Sequence, residues 1–221
     1  MSQQSSVQSV LSAIEQQSER QIRVAGSQTI RGEVTVQGSK NATNRLLLAA
    51  AAIPGRYTFR HFPLVLDPLR ILAILEYLGA DISIDRASHI VTVDSRALQN
   101  KALPYEMTKT TTGAFGLAGA LLGRFGVVDI GKPGGDKIGP RPVDVHLSAL
   151  RALGASVSEY DESIRAKMVG DASDVHHLTM PSVGAVVNYL LAAVNVSRPV
   201  RLRGTPIDND MAALCEMLEE C

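Results

Sequence analysis

Residues 133 to 146 read Pro-Gly-Gly-Asp-Lys-Ile-Gly-Pro-Arg-Pro-Val-Asp-Val-His. Gly134, Gly135 and Gly139 let the backbone approach a ligand closely. Lys137 and Arg141 bring two cations, and Asp136 and Asp144 bring two carboxylates. An apolar stretch over 127–130 precedes the run, and a helical pattern starting near Asp144 follows it. The charges therefore sit at a strand-to-helix junction, which suits an anionic substrate that must gain and lose protons. The plainer alternative is a solvated surface loop. A turn alone, however, does not require so many glycines and charges together.

Smaller constellations share that chemistry. Gly38-Ser39-Lys40-Asn41 opens an Ala/Leu-rich helical stretch over 42–52. A lysine there adds its charge to the amides and dipole that already favour an anion. Pro181-Ser182-Val183-Gly184 opens a second helix, over 185–195, and Lys109-Thr110-Thr111-Thr112 opens a third, through residue 122. Each could also be a helix start with no ligand, just as Lys40 and Arg141 could be cations with solvated heads. Asp144 is a natural helix cap and His146 lies one turn in, either on the helix surface or beside a ligand. His176-His177 is an adjacent pair without metal-ligand spacing to other candidates, so no metal and no cofactor are expected.

The elements that must position these residues form a repeat. Helix, strand, helix ending in Leu-Gly-Ala, then two strands: this order appears with Leu78-Gly79-Ala80 and again with Leu153-Gly154-Ala155. Short alternating strands are also expected over 21–24 and 33–36. The unit is β-α-β-α-β-β, present about three times. Asp67 lies eleven residues before Leu78, and Asp210 eleven before Cys221, so the third unit is expected to be incomplete. An apolar helix face and a sheet edge are then left to be covered by association. Residues 1–20 form a polar extension in which Val7, Val10, Leu11 and Ile14 recur at helical spacing. Residues 21–221 are read as one α+β domain built of α/β repeats.

Composition narrows the class. Lys plus Arg and Asp plus Glu both number 22, giving a formal net charge of zero. That argues against nucleic acid or an anionic membrane as partner. Hydrophobic residues make up 45% and aromatics only 4%, so the core must be aliphatic. Cys215 and Cys221 offer no disulfide framework. No apolar run reaches spanning length, and the polar N-terminus shows no signal-peptide pattern. A cytoplasmic protein is expected.

Together the landmarks resemble the enolpyruvyl transferase family, from about residue 21 onward and over about the first half of the family's usual length. Gly38-Ser39-Lys40-Asn41 is similar to the family's G-[AS]-K-N, a short match. The run from Pro133 to His146 is a long and specific one, and Ser182-Val183-Gly184 is similar to a uridine-nucleotide contact segment. The loop best matches the branch that acts on UDP-N-acetylglucosamine, whereas Asn44-Arg45 resembles the shikimate-pathway branch.

The resemblance implies two similar domains of three such units, closing on substrate, with this chain as the first plus crossover strands. It implies transfer of the enolpyruvyl group from phosphoenolpyruvate to a hydroxyl of UDP-N-acetylglucosamine with release of phosphate, a step of peptidoglycan precursor synthesis. Lys40, Asp136 and Arg141 would be catalytic. Asn41, Lys109, Thr112, Pro142, Val143, Asp144, Val145, His146, Ser182, Val183 and Gly184 would contact phosphoenolpyruvate or the uridine nucleotide or sugar nucleotide.

Two features depart from the family's pattern. Asp136 stands where many members carry a reactive cysteine, which implies a carboxylic acid as proton donor and resistance to epoxide inhibitors. Thr112 stands where the family's K-T-M-R has arginine, so one cation is lost. The second domain would supply the base and further arginines, so a complementary second-half chain, or a second copy, is expected to be required. Two alternatives remain: enolpyruvyl transfer to another nucleotide acceptor in secondary metabolism, and an inactive half-domain that only binds nucleotide or serves as a partner subunit.

Overall fold

The computed structural model describes residues 6–18, 21, 23–26, 29, 31–134, 143–206 and 208–221. Ser39 starts helix α2 (Lys40–Ala52), its hydroxyl accepting from the Ala42 amide at 3.2 Å. The chain then runs through β1 (Arg56–Phe59), α3 (Leu66–Leu78), β2 (Asp81–Asp85) and β3 (Ile90–Asp94). Gly79 closes α3 at φ 108°, a left-handed backbone that side chains resist. The three strands form an antiparallel sheet in the order β1-β3-β2.

The second unit repeats this plan. It contains a short helix α4 (Tyr105–Thr108), a 3-10 turn (Thr112–Gly116), α5 (Leu117–Phe125), β4 (Val127–Gly131), α6 (Asp144–Ala152), β5 (Ala155–Glu159) and β6 (Ser163–Met168). Its sheet order, β4-β6-β5, matches that of the first unit. The third unit has β7 (Val175–His177), α7 (Val183–Ala193), β8 (Arg201–Arg203) and α8 (Asn209–Glu220), with β7 parallel to β8. The same parallel relation appears in the second unit as an isolated bridge between Leu103 and Ile130. The fold is α+β, as the repeat implied. Among the described residues no helix is long and apolar enough to cross a membrane.

Helices α2, α5 and α7 pack on one another at the centre, and α3, α6 and α8 lie outside them. The core is aliphatic, with Leu47, Leu72, Leu121, Leu150 and Leu191 fully buried. Each such side chain contributes about 1.5–3 kcal/mol. Helices α5 and α7 approach closely. A Cβ on Gly119 would lie 2.2 Å from the Asn188 carbonyl oxygen, and one on Gly123 would lie 2.5 Å from that of Leu191. Only glycine lets the two backbones meet there.

Three local expectations differ. Residues 21–24 and 33–36 form no strand where described, and Val24, Val34 and Val36 are exposed. Among the described residues no strand pairs with them to supply the ladder that β-structure needs. The helix expected over 109–122 is broken into the 3-10 turn and α5, because its apolar periodicity spans Gly113 and Gly116, which close packing on Asn44 and Leu48 keeps small. Third, Asp144 is the first helical residue rather than the cap of α6. Val143 occupies the cap position without a side-chain hydrogen bond. The polar extension does contain a helix, α1 (Val7–Ser18), which buries Val7, Val10 and Leu11 and packs on α3.

Candidate functional site

The repeat brings the first turns of α2, α6 and α7 to one place, where they enclose a cavity of about 370 Å³. From α2 come Asn41, Asn44, Arg45 and Leu48, which share a face because they recur at helical spacing. The 3-10 turn adds Thr112 and Phe115, the segment after β4 adds Pro133, the cap and first turn of α6 add Val143 and His146, and α7 adds Val183 and Gly184. The free amides and dipoles of three helix starts make such a cavity receptive to an anion.

Arg45 is the one cation among the described lining residues, and it is almost fully buried. Its guanidinium meets both carboxylate oxygens of Asp208, at 2.5 and 3.0 Å. Asp208 also caps α8 by accepting from the Met211 amide at 2.7 Å. The guanidinium holds the Asp208 carboxyl below the usual carboxylate range, chiefly through that side-chain hydrogen bond. The Asn44 side chain lines the same wall, and its Oδ1 is buried without a hydrogen-bond partner. A buried amide oxygen left so is ready to accept from a ligand.

His146 faces Phe115 edge-on at 5.2 Å and sits against Gly184, where a Cβ would come within 2.7 Å of the ring. Gly184 is therefore required for space. Burial pushes the His146 pKa down from 6.5 to about 4. Its Nδ1 lies 2.8 Å from the side-chain nitrogen of Asn188, a buried residue of α7.

Of the residues expected to act, Asn41, Thr112, Val143, His146, Val183 and Gly184 line the cavity. The Thr112 hydroxyl is already committed, donating to the Gly134 carbonyl at 2.9 Å, and so it anchors the start of the 133–146 run. Ser182 lies behind the wall and caps α7 through the Ala185 amide. Val145 is buried in the core, and Asp144 is exposed. Lys40 is at the start of α2 but does not line the cavity, and its ammonium pairs with Asp67 at 2.9 Å. Lys109 is likewise outside it, ion-paired with Glu106, whose hydrogen bond raises the lysine pKa. Asp136, Arg141 and Pro142 lie outside the described residues.

Asn44, Arg45, Phe115 and Asn188 were not singled out as site residues. For Arg45 the signal was available, since it stands four residues after Asn41 on one helix face. For Asn188 the signal was a lone amide inside the apolar stretch of α7.

The profile of the EPSP synthase (3-phosphoshikimate 1-carboxyvinyltransferase) family matches residues 24–221. The UDP-N-acetylglucosamine 1-carboxyvinyltransferase of Cellvibrio japonicus is 34% identical over 196 residues, covering 88% of this chain and 46% of that protein. The UDP-N-acetylglucosamine 1-carboxyvinyltransferase 2 of Staphylococcus aureus is 35% identical over 177 residues, covering 78% of this chain and 41% of that protein. The chain thus spans about half the length of the curated relatives it matches. Among solved structures, the enolpyruvyl transferase NikO from Streptomyces tendae superposes with a TM-score of 0.76 at 20% identity, over 88% of this chain and 45% of that one. EPSP synthase from Acinetobacter baumannii gives 0.66 at 20% identity, over 82% and 42%. These two establish likeness of fold.

Proposed function

The chain belongs to the EPSP synthase (3-phosphoshikimate 1-carboxyvinyltransferase) family, and on that premise we propose that it forms one half of an enolpyruvyl transferase acting on UDP-N-acetylglucosamine. The observation that carries this reading is the convergence of three helix starts and the buried Arg45 on one cavity. The acceptor is taken from the sugar-nucleotide relatives, at 34% and 35% identity.

In the proposed reaction the acceptor hydroxyl oxygen bonds to C2 of phosphoenolpyruvate while C3 gains a proton. The C2–O bond to phosphate then breaks, C3 loses a proton, and phosphate leaves. Asp136 is assigned the proton donor to C3, a role a carboxylic acid fills when its pKa is raised toward neutrality. Arg141 is assigned a carboxylate or phosphate of the substrates through its bidentate fork, and Lys40 the phosphate side, after exchanging Asp67 for substrate. Asn41, Val183, Gly184 and His146 would hold the nucleotide. The base that takes the acceptor's proton is assigned to a complementary second domain or chain.

One observation favours a second reading. With the Thr112 hydroxyl spent on Gly134, no cation among the described residues stands where the family's arginine is expected. A nucleotide acceptor with fewer anionic groups would suit that wall. Calorimetry with UDP-N-acetylglucosamine and with uridine monophosphate separates the two. Saturable binding with the sugar nucleotide at least about tenfold tighter, about 1.4 kcal/mol, is the expected result. Tighter binding of the monophosphate would transfer the proposal to another acceptor, and no binding of either would remove it.

A further inference from the structure

Asn188 is the one buried asparagine in the middle of α7, among Val186, Val187, Tyr189 and Leu191. Its amide joins two elements of the site. Oδ1 accepts from the Gly119 backbone amide at 2.6 Å, and the nitrogen faces His146 Nδ1 at 2.8 Å. Gly119 lies in the first turn of α5, whose cap residue supplies no side-chain bond. A backbone N–H can only donate, so the atom of Asn188 that meets it must be the oxygen. The other terminal atom is then the NH₂ group, which can only donate to His146. Nδ1 must accept, and the imidazole proton must reside on Nε2. Among the described residues Nε2 has no hydrogen-bond partner, and His146 lines the cavity.

We propose that Asn188 is a positioning residue that holds His146 as the Nε2–H tautomer, so that the cavity wall presents a neutral donor to an acceptor oxygen of the ligand. The group it would meet is a carbonyl or phosphate oxygen, not a donor amide or an ammonium. The ligand assignment rests on the nucleotide reading above; the tautomer does not. Burial keeps the ring uncharged near neutrality, and the close α5–α7 approach keeps Asn188 within reach of Gly119.

The test is the imidazole nitrogen spectrum of His146 in ligand-free protein at pH 7, by two-bond proton–nitrogen correlation. A single species with Nδ1 unprotonated and Nε2 protonated is expected. A Nδ1–H species, or an average of the two, would overturn the assignment. In Asn188→Asp the carboxylate still accepts from Gly119, but its second oxygen can only accept, so His146 should acquire a proton on Nδ1. An unchanged spectrum in that folded variant would also overturn it. If the variant fails to fold, Asn188→Ala should leave a tautomer mixture, and a persisting single Nε2–H species would count against the proposal. Because these readouts need no ligand, failure of the nucleotide reading and failure of this one are distinguishable.

Discussion

Gly119→Ala is expected to destabilise the fold by about 3 kcal/mol or more, although alanine is intrinsically the better helix former by about 1 kcal/mol. The sign is decided by space. The new Cβ would lie 2.2 Å from the Asn188 carbonyl oxygen and 2.7 Å from its Cα. Both are backbone atoms of a helix and cannot rotate away, so α5 and α7 must separate. Overpacking a core costs typically about 1–3 kcal/mol, occasionally more, and here the shift also pulls Asn188 from Gly119. For a chain of this size the melting temperature should fall by roughly 6–12 °C. Urea unfolding measures the effect, and a stability within about 1 kcal/mol of wild type would contradict the packing described for the centre of the fold.

Stability should also depend on pH through His146. Its folded pKa of about 4 lies below the unfolded value of 6.5, so between those limits the unfolded chain binds the extra proton. The neutral ring's contribution is therefore complete above about pH 6.5 and lost as the pH falls toward 4. The shift corresponds to up to about 3 kcal/mol. Carboxylates titrate in the lower part of the same window, so the informative quantity is the difference between wild type and His146→Gln. Gln keeps a polar group beside Asn188 but has no proton to gain. That difference should narrow steadily from pH 7 to pH 4, whereas parallel profiles would show that His146 is not the buried neutral ring described.

These two predictions rest on different degrees of legibility. The Leu-Gly-Ala helix ends at Gly79 and Gly154, and the helix starts near Ser39 and Ser182, were readable because local chemistry sets them: a left-handed glycine at the end and a hydroxyl facing free amides at the start. The convergence of Asn41, Thr112, His146 and Gly184 followed from the repeat together with the family resemblance. The residues missed depend on contacts distant in sequence. Arg45 meets Asp208 across 163 positions and Asn188 meets Gly119 across 69, and no periodicity announces such pairs. The strands expected at 21–24 and 33–36 failed for the complementary reason. Alternation marks a face to be buried, but a strand forms only where another strand pairs with it.

The close apposition that accommodates Gly119 also serves the proposed site, because it carries Asn188, and through it the ring of His146, to the cavity wall. Arg45 connects the cavity to α8 in the same way, since its partner Asp208 is the cap of that helix. Binding an anion at Arg45 would draw on the pair that starts α8, so site and third unit share one set of charges.

The most direct measurement is phosphate release from phosphoenolpyruvate and UDP-N-acetylglucosamine, by this chain alone and with a purified second half matching the rest of its relatives. The proposal predicts release only when both halves are present, reduced at least about a hundredfold in Asp136→Ala, as expected for loss of a general acid. Release by this chain alone, no release with both halves, or full activity in Asp136→Ala would contradict it.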